Sequence, residues 1–163
     1  MGQSSWKDAH HTLENVTATI KSILPSDLPL FVSIGNEDVY PAYQLYNGPS
    51  KTLEDMYELW GGDMPAAAEA TFLGGGYYAV SPNPSLQILF LNTLYYSKHW
   101  SADNETNVAE AAGRLGHHDD DPVDQFKWME TTLADARSRS QSVWIVRFAF
   151  VFFWGGGDGC SVG

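Results

Sequence analysis

Apolar positions along the chain fall into two periodicities. Between Ala9 and Leu24, Leu13, Val16, Ile20 and Ile23 recur every three or four residues and Pro25 closes the run, which predicts an amphipathic helix. Leu28 to Ile34 is a short apolar run ending at Gly35, the pattern of a buried strand feeding a loop. Thr52 and Asp55 are spaced as a capping box, and Leu53, Met56, Tyr57 and Trp60 share one helical face before Gly61-Gly62. Tyr77 to Val80 and Leu86 to Tyr96 read as strands. Ser81-Pro82-Asn83-Pro84-Ser85 between them predicts an antiparallel hairpin, with the second strand central and buried on both faces. Ser97 to Asp120 is polar and irregular, an expected exposed loop. Asp121 and Pro122 then suit the cap and first position of a helix whose buried stripe is Val123, Phe126, Met129, Leu133 and Ala136. Val143 onward is another apolar strand.

The expected order is therefore α-β-α-β-β-α-β, a mixed α/β fold with helices layered on a sheet. We expect one domain over residues 9–154 and a disordered glycine-rich tail over 155–163.

Composition narrows the function classes. Apolar residues make up 44% of the 163 and aromatics 13%, enough for a packed core. The net charge of -11 excludes nucleic acid as a partner, because phosphate backbones need clustered Lys and Arg. A polyphosphate would be repelled too unless metal ions inverted the local field. Cys160 is the only cysteine, so no internal disulfide is expected. The longest apolar run, Val143 to Trp154, contains Arg147 and falls short of the ~18 residues of a membrane span. The first residues do not spell a signal peptide. Sequons occur at Asn15 and Asn104, which fit a glycoprotein but also arise by chance.

Chemistry concentrates in Phe31-Val32-Ser33-Ile34-Gly35-Asn36-Glu37-Asp38-Val39-Tyr40-Pro41. A strand meeting a glycine turn delivers polar groups to the strand's C-terminal end, where ligands bind in open α/β sheets. Asn36 has an amide oxygen suited to a hard metal, and Glu37 and Asp38 offer charge or acid–base groups. An ordinary Asx-type turn explains the same residues. His117-His118-Asp119-Asp120-Asp121 is rich in ligand types, but adjacent side chains rarely converge on one ion, and we expect a solvated loop. Asp8-Ala9-His10 has no strand before it and is read as chance. Trp6, Trp60, Trp128 and Trp144 are expected in core packing, and Asn92 in a sheet-end hydrogen bond.

The segment around Gly35-Asn36-Glu37-Asp38 resembles the Gly-Asn-His-Asp motif of the calcineurin-like metallophosphoesterases. Three further stretches keep the family's order: Gly75-Gly76-Tyr77-Tyr78 with Leu89-Phe90-Leu91-Asn92-Thr93-Leu94-Tyr95-Tyr96, then Asp121-Pro122 with Gln125-Phe126-Lys127-Trp128-Met129, then Val143-Trp144-Ile145-Val146. The Leu-Asn-Thr and Gln-Phe-x-Trp elements resemble the acid sphingomyelinase-like phosphodiesterase and endopolyphosphatase branch. The resemblance implies part of a four-layer α-β-β-α sandwich, truncated at both ends. It implies hydrolysis of a phosphoester or phosphoanhydride in a phosphate-containing small molecule or polyphosphate, and a centre of two divalent ions (Zn, Mn or Fe). It makes Asn36 a metal ligand and Asp38 an orienting residue, and it puts Glu37 at the catalytic histidine position. The parent protein would be secreted or vacuolar. The family's Asp-x-His and Gly-Asp strands and its later Gly-His segment find no counterpart here, Asp8-Ala9-His10 being chance or at best a remnant of the Gly-Asp region. The resemblance therefore implies impaired activity, or a non-catalytic remnant that keeps the sheet.

Overall fold

A computed structural model of the chain describes residues 5–97, 99–100 and 121–148. Its elements run α1 (Trp6–Ile23), α2 (Lys51–Trp60), α3 (Glu69–Gly75), β1 (Tyr78–Asn83), β2 (Leu86–Asn92), α4 (Gln125–Ser138) and β3 (Ser142–Phe148), with short 3-10 turns at Gly61–Asp63, Ala66–Ala68 and Leu94–Tyr96. The strands form one mixed sheet in the order β1-β2-β3. The hairpin pairs β1 with β2 antiparallel, Tyr78 opposite Phe90. The crossover through α4 brings β3 beside β2 in parallel, from Leu86 opposite Ser142 to Asn92 opposite Phe148. The chain is thus a mixed α/β unit with β2 central, as its apolar run indicates.

Helix α1 starts where Ser5 Oγ accepts the Asp8 N–H at 3.2 Å, a standard N-cap. Asp8 lies in the first turn and Lys21 in the last, each favourable to the helix dipole. Its buried face of Ala9, Leu13 and Thr17 docks on α2. There Trp60 Nε1 donates to Thr17 Oγ1 and Trp6 Nε1 donates to Asp55 Oδ2, both at 2.9 Å. Leu53, Met56 and Trp60 of α2 join Phe72 of α3, and Tyr78 and Phe90 of the sheet, in one core. Phe72 meets the Tyr78 ring at 5.9 Å, and Tyr78 stacks on Phe90 at 4.6 Å and 5°. Strand alternation turns Leu89 and Leu91, also buried, to the opposite face.

Several expectations are corrected. Leu28 to Ile34 is not a β-strand: among the described residues it joins no ladder, and only Ile34 of the run is buried. Its backbone bonds instead to a side chain, since Tyr78 Oη accepts the Val32 N–H at 2.8 Å and donates to the Val32 carbonyl at 2.7 Å. The cap of α2 is Ser50, whose Oγ accepts the Leu53 N–H at 3.3 Å; Asp55 is occupied by Trp6 and Lys51. Strand β2 ends at Asn92, and Leu94 to Tyr96 coils into a 3-10 turn. Helix α4 begins at Gln125 after Asp124, which sits at φ 55° and gives no side-chain cap. Asp121 still caps it from outside, accepting the N–H groups of Phe126 and Lys127. The stripe of α4 differs as well: Gln125 and Ala136 are buried, while Phe126 is exposed and lies against the Tyr96 ring at 4.6 Å.

Strand β3 departs furthest from expectation. Trp144 is 61% exposed rather than in the core, and Ile145 and Phe148 are half exposed. It is the edge strand of the sheet, and Trp144 to Phe148 are exposed in succession, so among the described residues little covers either of its faces. The 155–163 tail and His117 to Asp120 lie outside the described residues.

Candidate functional site

Parallel pairing sets Asn92 beside Phe148, so β2 and β3 end at the same sheet edge. The antiparallel β1 starts at that edge too, just after Gly76. The segment holding the candidate residues runs along it. Ser33 Oγ donates to the Leu91 carbonyl at 3.2 Å, and Thr93 Oγ1 donates to the Phe148 carbonyl. Gly35 lies against Phe148, where an added Cβ would sit 2.7 Å from Phe148 Cδ1. Gly76 has φ 72°, and a Cβ there would come within 2.6 Å of Ile34 Cδ1 and 2.9 Å of Asn92 Nδ2. Only glycine meets both demands, a left-handed backbone and close approach. Thus the Asn36 turn stands at the C-terminal end of a parallel strand pair, although no strand of its own leads into it.

The turn is closed by its own groups. The Gly35 N–H donates to Asp38 Oδ2 at 2.7 Å, and the Asp38 N–H donates to the Gly35 carbonyl at 3.2 Å. Asn36 Nδ2 donates to Glu37 Oε1 at 2.8 Å, which leaves the Asn36 amide oxygen as its acceptor end. The Tyr43 N–H reaches the Asn36 carbonyl at 3.0 Å. Burial pushes the Asp38 carboxyl up; the Gly35 N–H pulls it down and the Glu37 charge raises it further, for a net rise. A raised pKa beside a second carboxylate makes Asp38 a candidate acid–base group, and its bond to Gly35 equally makes it the brace of the turn.

Asn36, Glu37 and Asp38 are brought together, but the remaining candidates do not join them. Asp8 and His10 sit in α1, where His10 packs on the Trp6 ring at 5.7 Å and its Nδ1 lies 3.8 Å from Glu14. Asp121 is committed to α4 and to the Tyr96 hydroxyl at 2.8 Å. Among the described residues, no three His, Cys, Asp or Glu side chains converge as a metal ion requires. Asn36 offers one amide oxygen and Asp38 is tied to Gly35, so these residues alone do not fit a two-metal centre.

Asn92 fulfils its expectation, since it is fully buried, donates to the Gly75 carbonyl at 3.0 Å and accepts the Leu94 N–H at 3.1 Å. Three residues at this edge escaped sequence reasoning. Gln125, 1% exposed, clasps the Asn92 backbone: its Oε1 accepts the Asn92 N–H at 2.7 Å and its Nε2 donates to the Asn92 carbonyl at 3.0 Å. An amide at the head of an apolar helix stripe was the available signal. Tyr43 at φ 67° and His99 pack ring to ring at 4.8 Å, and nothing local in the sequence announces that pair.

No family model matches the chain. Over 136 residues it is 34% identical to sphingomyelinase phosphodiesterase C of Dictyostelium discoideum, covering 83% of this chain and 27% of that protein. Over 139 residues it is 33% identical to a cyclic GMP-AMP phosphodiesterase of Homo sapiens, again with 83% and 27% covered. An endopolyphosphatase of Cryptococcus neoformans is 33% identical over 120 residues, 73% of this chain and 16% of that protein. The chain thus spans about a quarter, or less, of the length of these relatives.

Proposed function

From the premise that this chain belongs with the sphingomyelinase phosphodiesterases and endopolyphosphatases over part of their length, we propose that it carries one corner of a phosphoester- or phosphoanhydride-hydrolysing site. The Gly35–Asp38 turn at the shared C-terminal edge of β2 and β3 is the observation that carries this reading. Chemistry gathers there because the ends of parallel strands leave a crevice lined by loop groups. Asn36 is the ligand-bearing residue, Asp38 sets the turn, and Glu37 occupies the place next to the substrate phosphate. The substrate class is a phosphate-containing compound, the common ground of the relatives' names.

The same geometry favours a second reading, in which the chain keeps the sheet without catalysing. Glu37 is exposed and anionic where a phosphate oxyanion would need a donor or cation, and like charges repel. Among the described residues the donor set falls short of two divalent ions, and the four-layer sandwich is proposed for a complete domain only.

Hydrolysis of a chromogenic phosphodiester with Zn²⁺ or Mn²⁺ present separates the readings. The native chain is expected to turn over far more slowly than a full-length relative. Glu37→His is not expected to rescue it, because the substitution removes repulsion without adding ligands. Robust metal-dependent turnover, abolished by Asn36→Ala, would overturn the non-catalytic reading. Metal content gives a second readout: two bound ions speak for the hydrolase, none or one for the remnant.

A further inference from the structure

Two segments meet beside the Asn36 turn, and a pair of rings bridges them. One is the loop from Asn36 to Leu45. The other follows the 3-10 turn Leu94–Tyr96, beyond the C-terminal end of β2. They are tied by Gln44 Nε2 donating to the His99 carbonyl at 2.6 Å and by Trp100 Nε1 donating to the Leu45 carbonyl at 2.8 Å. Across this seam the Tyr43 and His99 rings lie 4.8 Å apart at 43°. Tyr43 is held at φ 67°, a left-handed conformation that costs a bulky side chain on the order of 1–2 kcal/mol. Such strain persists where the surroundings fix it, and it points to a functional position. The Tyr43 N–H is bonded to the Asn36 carbonyl, so the ring pair begins one hydrogen bond from the proposed ligand. Tyr43 is half-buried and His99 exposed, which leaves ring surface open to solvent.

We propose that Tyr43 and His99 form a ring wall beside the Asn36 turn that holds a flat aromatic group esterified to the substrate phosphate. This specificity role rests on the hydrolase-site reading above. The chemistry is stacking, in which a flat apolar ring gains offset or edge contacts with both π-systems and leaves the phosphate toward Asn36. An aliphatic ester presents no such face. The contact is a binding one, with no bond made or broken by either residue.

The test is titration of the whole chain with phenyl phosphate and with methyl phosphate in Zn²⁺-containing buffer, followed by the amide NMR shifts of Asn36, Tyr43 and His99. Phenyl phosphate should bind about three- to tenfold more tightly, the span expected of an aromatic pair. Tyr43→Gly and His99→Ala should bring the two esters to parity, and Tyr43→Phe should keep the preference. Glycine adopts φ 67° without penalty, so Tyr43→Gly keeps its fold, and an unchanged thermal melt checks this. Equal affinities for both esters in the native chain, with Asn36 still shifting, would overturn the ring wall and leave the hydrolase site standing. No shift at Asn36 with either ester would overturn both.

Discussion

Replacing Gln125 with leucine should undo the joint between α4 and the sheet edge that bears the candidate site. Gln125 is buried, and it satisfies both the N–H and the carbonyl of Asn92, where β2 ends opposite Phe148. Leucine has nearly the same volume, so packing changes little. What changes is that a buried donor and a buried acceptor lose their partners, each at about 1–3 kcal/mol. The sum is about 2–6 kcal/mol, and we take about 3 because some water will reach the strand end. With a urea dependence near 2 kcal/mol per molar for a chain of this size, the midpoint should fall by roughly 1.5 M. Far-UV circular dichroism during urea unfolding measures it. Gln125→Glu sharpens the test. Ionised glutamate still accepts the Asn92 N–H but has no proton for the Asn92 carbonyl, whereas the acid form has one. Burial raises its folded pKa above the unfolded value of about 4.3, so its stability is highest at low pH and is lost as pH rises through the folded pKa. A midpoint shift under about 0.3 M for Gln125→Leu, or no pH dependence for Gln125→Glu, would refute the joint.

Asp38→Asn is expected to become more stable than the native chain as pH rises. The Asp38 carboxyl is raised above its ordinary 3.8 by burial, so its charged form costs stability from about pH 4 upward, and asparagine can still accept the Gly35 N–H; urea midpoints across that range decide it. Asp121→Ala should lose about 1–2 kcal/mol at neutral pH, the worth of a helix cap. Burial pushes Asp121 up, but the Phe126 and Lys127 N–H groups and the Tyr96 hydroxyl outweigh it and hold it below 3.8. The native advantage should therefore be present at neutral pH and shrink as pH falls through the folded pKa, which parallel melts at neutral and acid pH would show.

The sequence by itself determined what depends on neighbours a few residues apart. The helix around Leu13, the Leu53–Met56–Trp60 face and the hairpin over Pro84-Ser85 form as their patterns dictate, because propensity and turn chemistry act locally. The α1 stripe, however, is not the one expected: Ala9, Leu13 and Thr17 are buried while Val16 and Ile23 are exposed. The Gly-Asn-Glu-Asp turn was legible for the same reason, with Asp38 closing on Gly35 three residues away. The ordered motifs also sufficed to name the branch of relatives. Tertiary structure alone decided which apolar runs are buried and which groups meet. Leu28 to Ile34 and Val143 to Val146 carry the same apolar signal as β2, yet only β2 has neighbours on both sides; burial depends on partners distant in sequence, which periodicity does not encode. Tyr43 meets His99, and Gln125 meets Asn92, across 56 and 33 positions. Those contacts arise only when the crossover and the hairpin bring the strand ends to one edge.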